Sequence, residues 1–140
     1  MKKIEDLSIK IFADGAEKAV ILEMYQKPYI QGFTTNPTLM RKAGISNYES
    51  FAREILSVIT DLPISFEVFS DDFSEMKKQA LHIASWGNNV YVKIPVTDTK
   101  GNPTYPIIEA LSNSGVKLNI TAITTLDQVQ QVSSSLKNSI

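Results

Sequence analysis

No cysteine occurs in the 140 residues, which removes disulfides, thiolate nucleophiles and cysteine metal sites together and fits a reducing compartment. Histidine occurs once, and His82 reads as a surface residue on a helix. An excess of charge of either sign is missing too. The 14 Lys and Arg are matched by 15 Asp and Glu, and the two signs are interspersed, so the chain carries no footprint for nucleic acid or an anionic membrane. No apolar run is long enough to span a bilayer. The start, MKKIEDLSIKIF, has no uninterrupted apolar core for a secretion signal because Glu5, Asp6 and Lys10 break it. The expected address is the cytoplasm. What remains, 43% hydrophobic and 21% charged, is the composition of a globular chain, and residues 1–140 suffice for one domain with a real core.

The apolar residues alternate between two periods. Ile9 to Ala13 is a short apolar run, followed by a helical stretch in which Ala19, Leu22 and Tyr25 recur. Tyr29 to Thr35 is a second strand, after which Asn36-Pro37 supplies an N-cap and a first helical position. This helix ends near Gly44, and Tyr48, Phe51, Ala52, Ile55, Leu56 and Ile59 stripe the next one. Ile64 to Phe69 is a third strand, and Asp72 with Glu75 resembles a capping box for a helix that Gly87 stops. Val90 to Val96 is the fourth strand, with a helix ending at Gly115. Val116 to Ile123 is the fifth, and Leu126, Val129, Val132 and Leu136 stripe the last helix.

Successive strand and helix units predict a parallel sheet, an α/β fold. Side-chain parity then separates a doubly wound sheet from part of a barrel. Ile9, Ile11, Ala13, Phe33, Ile64, Phe66, Val68, Val90, Val92, Ile94, Leu118, Ile120 and Ala122 share one parity, which is almost wholly apolar. On the other parity Asp14, Asn36, Glu67, Lys93, Asn119 and Thr121 gather near the C-terminal ends of their strands. A barrel interior explains that asymmetry, whereas an open sheet covered on both faces would be apolar on both. The expected architecture is therefore a parallel TIM-barrel type, incomplete, with about five of the usual eight β/α units. In this setting VYVKIPV, Val90 to Val96, stands out. A buried ammonium is costly unless paired or deprotonated, so Lys93 either snorkels to water or does chemistry.

Five segments carry a family resemblance: ADG around Asp14, GFTTNPT from Gly32 to Thr38, FEV around Glu67, VYVKIPVT from Val90 to Thr97 and LNITAI from Leu118 to Ile123. In this order and spacing the chain resembles the transaldolase family along nearly its whole length. The resemblance implies transfer of a dihydroxyacetone unit between sugar phosphates without metal or organic cofactor. Lys93 would be the Schiff-base lysine, Asp14 a proton-transfer residue and Glu67 the residue that works with water on the imine. Thr35, Asn36, Asn119 and Thr121 would line the donor site. Fructose 6-phosphate aldolases look similar but typically carry glutamine where this chain has Glu67, which tilts the choice toward transaldolase. The chemistry agrees: an amine attacks a carbonyl only as the free base, burial favours that form in lysine, and carboxylates can move the protons.

Structural readings stand beside these. Asp14 before Gly15 also suits a turn. Asn36 is an adequate cap, and Asn119 and Thr121 suit a polar corner of a core. Asp71 and Asp72 read as cap residues rather than metal ligands. Glu67, between Phe66 and Val68, has the weakest structural excuse.

The length departs from the family. A whole eight-unit barrel takes about 250 residues, and about 200 is near the lower limit. The units expected to follow the fifth carry, in the family, the serine and arginine that hold the substrate phosphate. Five units alone leave the first and fifth strands as edges, a liability that favours self-association. The alternatives are a catalytically silent half barrel acting through association, a fructose 6-phosphate aldolase-like enzyme, and, more remotely, an open-sheet binding domain.

Overall fold

Each of the five apolar runs becomes a parallel strand: β1 (Ile11–Asp14), β2 (Ile30–Thr34), β3 (Ile64–Glu67), β4 (Val90–Pro95) and β5 (Leu118–Thr121). These come from a computed structural model that describes Ile4 and residues 7–136, so the reading of Glu5 and Asp6 lies outside the described residues. Six helices connect and follow the strands: α1 (Lys18–Tyr25), α2 (Pro37–Lys42), α3 (Tyr48–Val58), α4 (Phe73–Ala84), α5 (Tyr105–Asn113) and α6 (Leu126–Ser135). Spatial order follows chain order, β1-β2-β3-β4-β5. A doubly wound sheet reverses its order at a switch point, and this one never does. The fold is an incomplete parallel β/α barrel, curled like half of one.

Local chemistry explains the helix starts. Asn36, Asn47 and Asp72 each accept a backbone N–H three residues on, at 2.9, 2.9 and 3.0 Å. The Asp72–Glu75 pair supplies only that half of a capping box, because the Glu75 carboxylate turns to Lys78 at 2.6 Å. The reciprocal box forms instead between Thr125 and Gln128, at the head of α6. Gly44 and Gly115 take φ of 73° and 78°, as left-handed helix ends require. Gly87 does not, and α4 ends earlier, at Ser85.

The apolar parity packs against the helices. Phe66, Val92 and Ile94 from the sheet meet Ile55, Met76, Ile108 and Leu111 from the helices, and all are essentially sealed from water. Three sequence expectations shift. The first strand starts at Ile11, leaving Ile9 exposed. In α1 the buried position is Ile21, with Met24 and Tyr25 beside it, while Ala19 faces water. The apolar stripe of α6 forms but buries only Val132. Leu126 is 83% and Val129 49% exposed, because among the described residues the sheet offers α6 no strand past β5 as a second surface.

One irregularity matters for the site. Ile11 pairs with Ile30 but Ala13 pairs with Phe33, so β2 carries one extra residue. Strict alternation from Phe33 would send Gln31 toward the helices; the bulge turns Gln31 out and buries Ile30 in its place. Gly32 then lies under the Phe12 ring, where a Cβ would stand 2.1 Å from a ring carbon.

Candidate active site

The polar parity lines the concave face of the sheet. Neighbouring strands lie about 4.8 Å apart, so a flat sheet holds next-nearest strands about 10 Å apart, beyond the reach of short side chains. Here Asn119 Nδ2 on β5 donates to Ser65 Oγ on β3 at 3.1 Å, across β4. Lys93 Nζ on β4 likewise crosses β3 to donate to the carbonyl of Thr35 at 3.3 Å. The first contact, between two short side chains, requires the curl.

Register sets the rest. Glu67 pairs with Lys93 and Lys93 with Asn119, which places the three in one row, and Thr121 stands one layer above, paired with Pro95. Glu67 Oε2 lies 3.9 Å from Lys93 Nζ, and their side chains keep only 24% and 13% of their exposure. Asp14, at the end of β1, accepts from Thr34 Oγ1 at 2.7 Å and shares a cleft with Asn36, Leu39, Glu67 and Phe69. Asn36 spends its Oδ1 on the Leu39 N–H and lines that cleft. The amine and both carboxylates thus occupy one side of the sheet. Thr35 is the exception: it is buried on the other parity with its hydroxyl unpartnered, and only its carbonyl reaches the site.

Other clusters lack this convergence. His82 is exposed and pairs with Glu49 at 2.8 Å. Asp71 accepts from the backbone and hydroxyl of Thr99. Among the described residues no three of His, Cys, Asp or Glu could hold a metal ion, and no helix is long and apolar enough to cross a membrane.

The model of the transaldolase/fructose-6-phosphate aldolase family matches residues 11–140. The chain belongs to that family. It is 39% identical over 120 residues to a probable transaldolase of Dehalococcoides mccartyi, covering 86% of this chain and 54% of that protein. It is 38% identical over 120 residues to a probable transaldolase of Streptococcus pyogenes serotype M5, with 86% and 53% covered. The chain therefore spans about half the length of the curated relatives it matches.

Within this family member the electrostatics centre on Glu67. Burial raises its carboxyl above the ordinary value, the Lys93 charge pulls it back, and Asp14 adds to the rise. A carboxyl with a raised folded pKa binds more protons folded than unfolded. Stability then falls as pH climbs from the ordinary range, about 4.3, through the folded value. Glu67→Gln removes that linkage. Its urea midpoint should decline less across this window than that of the parent chain, and an equal or steeper decline would contradict the assignment.

Three contacts around the site escaped sequence reading. Thr34 and Ser65 lie on the polar parity and were readable from it. Tyr48, whose hydroxyl meets both backbone groups of Glu67, carried no such signal, because it sits in the apolar stripe of α3.

Proposed function

We propose that this chain carries the imine-forming half of a transaldolase-type transfer, in which Lys93 takes up a dihydroxyacetone unit from a ketose phosphate. The Lys93 amine adds to the substrate carbonyl, and the carbinolamine loses water to give an iminium. Glu67 supplies the proton for the departing hydroxyl and later returns water to the imine. The iminium accepts the electron pair of the neighbouring carbon–carbon bond as Asp14 takes the proton from the hydroxyl on the departing carbon. An aldose phosphate leaves, and the enamine on Lys93 attacks another aldose phosphate in the reverse sense. No metal or organic cofactor enters these steps.

The observation that carries the reading is a shielded amine beside Glu67, whose carboxylate shares its cleft with Asp14 on the same concave face, in a chain of this family. Glutamate at 67 favours transfer over simple aldol release. The test is borohydride reduction with fructose 6-phosphate: a mass increment localised to Lys93 supports the reading, and an unmodified Lys93 defeats it.

A second reading, association of a silent half barrel, is favoured by β1 and β5, which are the unpaired edges of the sheet among the described residues, and by exposed Phe12, Leu126 and Val129. A second copy of the chain is the proposed occupant of those edges. Light scattering should then give at least twice the 15.6 kDa chain mass, and a monomer at all concentrations would remove this reading.

A further inference from the structure

The ladder between β2 and β3 stops one rung short of the site. Phe33 N–H donates to the Pro63 carbonyl at 2.9 Å and Thr35 N–H to the Ser65 carbonyl at 3.2 Å. In a regular parallel ladder the next bond would run from Glu67 N–H to the Thr35 carbonyl. Instead Glu67 N–H donates to the Tyr48 hydroxyl at 2.7 Å, and the same hydroxyl lies 3.2 Å from the Glu67 carbonyl, to which it donates. The Thr35 carbonyl, relieved of its rung, accepts from Lys93 Nζ. One phenol thus takes the place of a strand at Glu67 and releases a carbonyl for the amine.

Tyr48 is built for that exchange. It is the first residue of α3, directly after the Asn47 cap, so the helix start aims it at the sheet. Its ring is held edge-on by Phe66, Phe69 and Trp86 at centroid distances of 5.9, 4.6 and 5.3 Å. Phe66 and Phe69 flank Glu67 in the chain, so the clamp grips the backbone on both sides of the carboxylate. Burial pushes the phenol far above its usual range, and its proton stays on oxygen. A hydroxyl in that state can donate and accept at once.

We propose that Tyr48 is a positioning residue for the imine site: its hydroxyl replaces the missing β2 rung at Glu67, holding the Glu67 carboxylate on the concave face and leaving the Thr35 carbonyl to orient the Lys93 amine. The inference rests on the roles of Lys93 and Glu67 proposed above. A purely structural Tyr48 would contribute its ring alone, so Tyr48→Phe separates the two.

The experiment uses the 140-residue chain. Without substrate, Tyr48→Phe should speed exchange of the Glu67 amide by about tenfold or more while distant core amides hold. The Glu67 carboxyl, followed by carbon-detected NMR, should titrate lower, toward its ordinary value, as it gains water. With fructose 6-phosphate and borohydride, trapping at Lys93 should slow by about tenfold to a hundredfold. Substituting 3-fluorotyrosine for Tyr48 keeps the hydroxyl and weakens it as an acceptor; it should give intermediate rates, and it answers the question if Tyr48→Phe fails to fold. An unchanged Glu67 amide and titration in both variants overturn the proposal whatever the trapping does. So does unaltered trapping in Tyr48→Phe when the parent chain traps. A parent chain that never traps while Glu67 still responds to Tyr48 refutes the imine reading and supports the hold of Tyr48 on Glu67.

Discussion

Lys93→Met should abolish the borohydride-stable adduct while leaving the chain folded. Removing a covalent nucleophile from a site whose parts act together costs about four orders of magnitude or more, so the trapped fraction should fall below detection. The fold should survive for a separate reason. Lys93 is the fourth of the six residues of β4, its neighbours Val92 and Ile94 are sealed in the core on the opposite face, and its own side chain points along the concave surface. Methionine has similar length, and replacing a shielded charge by an apolar group of like volume is often neutral. The Glu67 carboxyl left behind keeps some contact with water and can take up a proton. Mass spectrometry of digested peptides and a urea titration read both halves. An adduct of undiminished yield on another lysine would show that the chemistry does not belong to residue 93.

Phe66→Ala should be the most damaging single change to the core. Phe66 is 1% exposed and packs edge-on against Tyr48 and Trp86, at 5.9 and 5.5 Å. Truncating such a ring typically costs about 3–5 kcal/mol through lost burial and the cavity left behind. Whole domains are stable by only about 5–15 kcal/mol, and half a barrel buries less of its sheet than a closed one. Unfolding by urea should therefore shift to much lower concentration or lose its cooperativity at room temperature. A midpoint change equivalent to less than about 1 kcal/mol would mean that the core is not organised around this ring. The substitution should also loosen Glu67, since the ring it removes steadies Tyr48.

Much of the site was legible because strand geometry is simple. Alternation placed Lys93, Glu67, Asn119 and Thr121 on one face from three strings of residues, and parallel register keeps matching positions level. Asp14 and Asn36 were harder, because each lies where its strand ends and alternation weakens. The shift of β2 at Gln31-Gly32 was invisible in the residue pattern: a bulge depends on what stands opposite, here the Phe12 ring above Gly32. Thr35 shows the same limit in reverse. It was grouped with the donor-site residues through its motif, yet the structure brings its carbonyl, and not its side chain, to Lys93.

Composition and periodicity by themselves determined the parallel α/β class, the five strands, the helix caps at Asn36 and Asp72, and the segregation of ionisable residues onto one parity. Those properties are local, since each follows from spacings of two or 3.6 residues or from a cap and its nearest amides. Only the tertiary structure decided how far the sheet curls, which residue holds Glu67 where β2 turns away, and how much of the α6 stripe stays exposed. These depend on contacts between segments distant in the chain, such as Asn119 with Ser65 and Tyr48 with Glu67, whose geometry no periodicity encodes.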